Sequence, residues 1–184
     1  EIPLLILTHG HADHIAGLAG AIANRKVGIQ WFGNVKRGTT ANFGAMKIEV
    51  LWPDTGSYDE NNSSIAVRID SPDFSLFAGG DMEPLTQAML APELTSVDIY
   101  KVCHHGSAYQ DEGFTRALDP QLALISVGAE NSYGHPAANT LALLRQVGAK
   151  VLRTDTDGAI AVRARRHRLQ VKTSKNRFTY LRWE

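Results

Sequence analysis

The chain has 184 residues, 43% of them hydrophobic and 21% charged, enough for one packed domain and too apolar for wholesale disorder. Its 19 Lys and Arg balance 19 Asp and Glu only in total: residues 1–144 hold 8 basic and 16 acidic side chains, residues 145–184 hold 11 and 3. The longest apolar stretches, Ile2–Leu7 and Ile15–Ala23, fall short of the roughly 18 residues a membrane-spanning helix needs, and the lone Cys103 excludes an internal disulfide.

Periodicity predicts a strand at Pro3–Thr8 and a helix from about His14 to Arg25. Strand-like runs follow at Val27–Phe32 and Met46–Trp52, then a turn-rich loop at Pro53–Ser64. Ile65–Ile69 and Phe74–Ala78 read as a hairpin, and Pro84 opens a helix to Leu90. Next come a strand at Val97–Val102, a helix at Asp111–Leu118, a strand at Leu122–Val127 and a helix from Pro136 to Val147. Four short strands close the chain: Lys150–Arg153, Ala159–Arg163, Arg168–Lys172 and Arg177–Arg182. The expectation is one mixed α/β domain over residues 1–184, with a basic, strand-rich segment from about 150. No leader with a cleavage site is expected, and with Glu1 in place of Met the chain reads as a piece of something longer or a processed product.

Six of the seven histidines fall in three groups just after predicted strands: His9, His11 and His14; His104 and His105; His135. His167 stands apart in the basic segment as an ordinary surface residue. In Thr8-His9-Gly10-His11-Ala12-Asp13-His14, two imidazoles two residues apart can chelate one divalent ion, and Asp13 with His14 can serve a second. Such nitrogen and carboxylate donors suit Zn, Mn or Fe. Gly79-Gly80-Asp81 places a carboxylate at a strand end, where its two oxygens can bridge two ions; a turn or helix cap is the plainer reading. Val102-Cys103-His104-His105-Gly106-Ser107 offers a further ligand in the same position relative to its strand. His135 can supply a proton, bind a phosphate or simply cap the helix that follows.

Together these pieces resemble the metallo-β-lactamase superfamily. Glu60-Asn61-Asn62-Ser63-Ser64, Gly80-Asp81, Lys101 to Ser107, Ile125-Ser126-Val127-Gly128, Asn131-Ser132-Tyr133-Gly134-His135-Pro136 and Arg153 to Ile160 narrow the likeness to the C-terminal soluble domain of ComEC-type competence proteins. The resemblance implies an αββα sandwich. Two departures stand out: the strand hairpin with which the family begins is missing, and the superfamily's usual histidine between His14 and His104 is absent, as it is in the ComEC-type pattern. It further implies two divalent ions, Zn or Mn, with His9, His11 and Asp81 on one and Asp13, His14, Asp81 and His105 on the other. Asp13, Asp81, His104 and His135 are the expected catalytic residues, and Asn62, Ser107, Asn131 and Tyr133 the expected substrate contacts. His105 is preferred over His104 as direct ligand.

The implied reaction is hydrolysis of DNA phosphodiesters, on the strand that is not imported during natural DNA uptake. The implied setting is a soluble domain on the extracytoplasmic face of a bacterial membrane channel, bound to that channel. The implied substrate is single-stranded DNA without base specificity, with the basic segment as its electrostatic partner and Tyr58, Tyr133, Trp31 or Trp52 as stacking surfaces. An open sheet edge left by the missing hairpin invites a weak homodimer. The competing readings are a hydrolase of a small ester (phosphocholine ester, lactone or thioester) and a non-catalytic DNA-binding accessory domain.

Overall fold

Seven strands run side by side in chain order and divide the molecule into two layers of packing. The computed structural model describes every residue except 34, 57, 166–167, 176–178 and 181–184, and only the backbone of 179–180. His167 and most of the strand expected at Arg177–Arg182 lie outside the described residues. The large sheet contains β3 (Thr40–Phe43), β4 (Met46–Trp52), β5 (Ala66–Asp70), β6 (Ser75–Ala78), β7 (Ile99–Lys101), β8 (Leu122–Ile125) and β9 (Lys150–Arg153). β3 to β6 pair antiparallel, with short turns joining β3 to β4 and β5 to β6 and the long loop 53–65 joining β4 to β5, and β6 to β9 pair parallel.

Each parallel step needs a crossover, and α3 (Pro84–Leu90), α4 (Glu112–Leu118) and α5 (Ala138–Gln146) supply them. All three lie on one face, as same-handed crossovers between neighbouring strands require. There Leu90, Phe114, Leu118 and Leu144 pack on Phe77, Tyr100 and Ala123, which register side by side across β6, β7 and β8. A β-bulge between Val50 and Trp52 turns Trp52 to this helix face, while Ile48 and Val50 face the other way.

The opposite face is covered in two parts. The parallel pair of β1 (Ile2–Ile6) and β2 (Val27–Trp31) brings Leu4, Ile6 and Trp31 against Ile48, Val50 and Val67. The antiparallel sheet of β10 (Ile160–Arg165), β11 (Arg168–Thr173) and β12 (Thr179–Tyr180) brings Leu169 and Val171 against Ile99, Leu122 and Leu152. No strand pairing joins the two small sheets among the described residues. The second layer of the sandwich is therefore split in two among the described residues.

Several expected elements change. The helix expected at His14–Arg25 is two short pieces, α1 (Ala12–Ile15) and α2 (Leu18–Ile22), which bury no side chain completely. Without a buried apolar stripe, nothing from tertiary packing sustains a longer helix. β3 was not expected; Gly44, at φ +60°, makes the tight turn that folds it onto β4. Pro136 precedes α5 instead of opening it, because extended backbone at Ala137 makes that residue the N-cap. A short α6 (Thr154–Asp157) links β9 to β10. Trp31 and Trp52 are 5% and 1% exposed, so both belong to the core and neither can stack on a substrate.

Candidate metal centre

The carboxyl ends of β1, β6, β7 and β8 deliver the four segments that meet at Asp81. Open α/β sheets place ligands at this edge, where loops leave rigid strands. After β6, Gly80 at φ +57° turns the chain so that Asp81 points inward; a Cβ there would lie 2.7 Å from Ser64 Cβ. The Ser64 hydroxyl accepts the Asp81 N–H at 3.0 Å, and the Gly80 carbonyl accepts the His104 N–H at 3.0 Å. After β7, His104, His105 and Gly106 adopt three consecutive positive φ angles, +47°, +51° and +78°. Left-handed backbone is costly for non-glycine residues, and such strain tends to gather at functional sites.

The two oxygens of Asp81 divide the histidines into two groups. Oδ1 lies 3.3 Å from His14 Nε2 and 3.7 Å from His105 Nε2. Oδ2 lies 3.8 Å from both His9 Nε2 and His104 Nε2. Around Oδ1, His105 Nε2 is 3.2 Å from both His14 Nε2 and Asp13 Oδ2. One donor atom each from Asp13, His14, Asp81 and His105 falls within 4.8 Å of the others, a group able to hold a metal ion. On the Oδ2 side, His9 Nε2 and His11 Nδ1 face each other at 3.1 Å. Ligand atoms about 2.0–2.1 Å from a tetrahedral zinc stand about 3.3 Å apart, close to these separations.

The outer hydrogen bonds aim the same nitrogens inward. His105 Nδ1 is 2.7 Å from the Ser126 carbonyl, which can only accept, so Nδ1 carries the hydrogen and Nε2 is left with its lone pair. Thr8 Oγ1 reaches Nδ1 of both His9 and His14, at 3.1 and 3.2 Å, and Ser64 Oγ reaches His9 Nδ1 at 3.2 Å. Glu60 accepts the Gly10 N–H at 2.7 Å and braces the turn between His9 and His11. Three rings are thus fixed through Nδ1, as metal-ligating histidines usually are.

The electrostatics agree. Burial would raise the pKa of Asp81, but the hydrogen bond with His14 and the nearby His105, His14 and His104 outweigh it and bring the carboxyl down to about 2. Burial, then repulsion from His14, lowers His9 to about 4, so its ring is neutral at pH 7. Asp81 raises His14 through their hydrogen bond. The donor set fits divalent cations: an ionised oxygen, imidazole nitrogens and a fixed outer shell.

His104 stands as near Asp81 as His9 does, with Nδ1 3.3 Å from Glu83 Oε1. His135 packs edge to face on His104 at 5.6 Å, and burial, then His104 and His105, lower its pKa. Tyr133 joins His135 at the rim of two cavities of about 440 and 450 Å³ that open onto Asp13 and His105. A larger cavity, about 950 Å³, lies behind the His9–Gly10 turn beside Phe32 and Tyr58 and does not open onto Asp81.

Of the expected substrate contacts, Asn62 and Ser107 are buried, whereas Asn131 lines the cavity of about 440 Å³ beside Tyr133 and His135. Asn62 is 3% exposed, and its side chain serves Asp59, Glu83 and Thr86. Ser107 is 1% exposed and accepts the Tyr109 N–H. Asn131 spends its amide inside the 128–135 turn, accepting from His135 N–H and donating to the carbonyls of Gly128 and His135. Asn62 and Ser107 thus hold the scaffold together, and Asn131 braces a turn on the cavity wall. Thr8, Glu60, Ser64 and Glu83 went unassigned from sequence, although two of them sit in the polar run Glu60–Ser64 beside Asn62.

No protein-family model matches the chain. It is 29% identical over 192 residues to ComE operon protein 3 of Bacillus subtilis (strain 168), covering 89% of this chain and 25% of that protein. Against competence protein ComA of Neisseria gonorrhoeae it is 28% identical over 168 residues, covering 85% and 24%. The chain thus spans about a quarter of the length of these relatives. In fold it is similar to Igni18, a metallo hydrolase from Ignicoccus hospitalis (TM-score 0.55, 18% identity, 82% of this chain and 75% of that one). It is also similar to CmlA, a diiron β-hydroxylase from Streptomyces venezuelae (TM-score 0.58, 18% identity, 83% and 44%). One scaffold thus serves hydrolysis in one neighbour and oxidation in the other, so likeness of fold leaves the reaction to the site.

Proposed function

We propose that this ComEC-related, metallo-β-lactamase-like chain is a metal-dependent phosphodiesterase that cuts DNA during its uptake in competence. The observation that carries the reading is the Asp81 carboxylate, whose two oxygens face two separate groups of histidines. Asp13, His14, Asp81 and His105 would hold one ion, and His9, His11 and Asp81 the other. Divalent ions bound there supply Lewis-acid chemistry, making water acidic and offsetting charge on a phosphoryl group.

The remaining steps belong to the chain. Asp81 is ionised and 4% exposed, so it acts as a fixed anchor with no proton to give. Thr8 and Ser64 hold His9 and His14 so that substrate binding costs no rearrangement of the ligands. His135 has a lowered pKa and is neutral at pH 7, so its N–H can hydrogen-bond a phosphate or the leaving oxygen without a standing positive charge. In the parent protein the chain would be one domain of a membrane channel, acting on the strand that stays outside. No helix among the described residues is long and apolar enough to cross a membrane.

Metal analysis followed by cleavage of DNA with Mn and Zn tests the reading. Asp13→Ala and Asp81→Ala should abolish cleavage and lower metal content. His135→Ala should slow cleavage by about 10²–10⁴-fold with metal content intact. Preference for a lactone, thioester or phosphocholine ester over DNA would overturn it.

A further inference from the structure

Tyr133 is 82% exposed, yet its position is braced from beneath. Its ring lies nearly parallel to His135, with 20° between the planes and 5.9 Å between centroids. His135 meets His104 at 5.6 Å, and His104 meets His105 at 6.5 Å. A row of rings therefore leads from the neighbours of Asp81 outward, and Tyr133 ends it in solvent. Three Asn131 hydrogen bonds hold the turn that carries the last two rings. Tyr133 also lines both cavities that open onto Asp13 and His105, so a chain leaving the metal centre by either cavity runs past it.

We infer that Tyr133 is a stacking platform for an unpaired nucleobase beside the phosphodiester at the metal centre, which makes single-stranded nucleic acid the preferred substrate. The inference rests on the phosphodiesterase reading. Every base has a π-face, so such a platform is tolerant of sequence. In a duplex the bases are already stacked on one another, and none is free to cover Tyr133. The braced turn adds to the effect, because a platform already in place loses little conformational freedom when the base arrives.

The test reads binding apart from cleavage. Fluorescence anisotropy with EDTA present compares a labelled single-stranded oligothymidylate with a strand of the same length built of abasic nucleotides. The wild-type protein should bind the base-bearing strand about 5- to 100-fold more tightly. Tyr133→Ala should erase that preference, and Tyr133→Phe, which keeps the ring, should retain it. The exposed position keeps either substitution out of the core, and circular dichroism checks the fold of each variant. No preference in the wild type, or a preference that survives Tyr133→Ala, overturns the platform. Cleavage with Mn is then scored on the same strands. A protein that prefers bases but cuts neither strand keeps the platform and loses the phosphodiesterase reading; one that cuts while Tyr133→Ala keeps its preference does the reverse.

Discussion

His104 pairs left-handed backbone with an imidazole nitrogen that has no hydrogen-bond partner: Nδ1 is buried and unsatisfied although Glu83 lies 3.3 Å away. A non-glycine residue in this conformation costs roughly 1–2 kcal/mol, so the position is held for its side chain. Replacing it with the residue that tolerates φ +47° should therefore separate stability from function. His104→Gly should make the metal-free protein about 1 kcal/mol more stable in thermal melts while weakening DNA cleavage. A less stable variant would show that the ring supports the fold. The ligand candidates were readable because they are packed into short runs after strands. Glu60, Ser64 and Glu83 were not, because their work depends on contacts with distant segments: Glu60 reaches Gly10, Ser64 reaches His9 and Asp81, and Glu83 reaches His104.

At the scale of elements, the clearest signals came from the stretch where strands and helices alternate. β6, β7 and β8 are short apolar runs covered on both faces, and α3 and α4 carry their own boundary signals. Pro84 occupies the first turn of α3, and the Asp111 carboxylate caps α4 by accepting the Phe114 N–H at 2.6 Å. Asp111→Ala should thus cost about 1 kcal/mol in denaturant unfolding, with metal content unchanged. A loss of metal would mean that α4 positions the site. The failures have equally local causes. β3 was invisible because its alternation, with Ala41 and Phe43 facing the core, spans only four residues, too few to stand out, and it gains its place by pairing with β4. The α1–α2 segment was read as one helix because its apolar and small residues satisfy helical periodicity, but none of them is fully buried.

Across the whole molecule, the charge division in the sequence becomes a division of surfaces. The acidic part supplies the carboxylates of the metal centre, and the basic part forms the β10–β11 sheet. There Ile160, Val162, Ala164, Leu169 and Val171 face the large sheet, so strand alternation turns Arg163, Arg165, Arg168 and Lys172 outward. The register confirms a shared face, with Arg165 opposite Arg168 and Lys172 opposite Ala161. Such a face suits a phosphate backbone: each phosphate it neutralises releases a counterion, and binding then weakens as salt rises. The prediction is that the double variant Arg163→Gln, Arg165→Gln makes the plot of log affinity against log salt shallower by about 1.4 for a single strand, at about 0.7 per lost phosphate contact. Titration of labelled single strand at four salt concentrations measures that slope. The same slope in variant and wild type would leave the outward arginines as an ordinary solvated sheet face and move the nucleic-acid path elsewhere on the molecule.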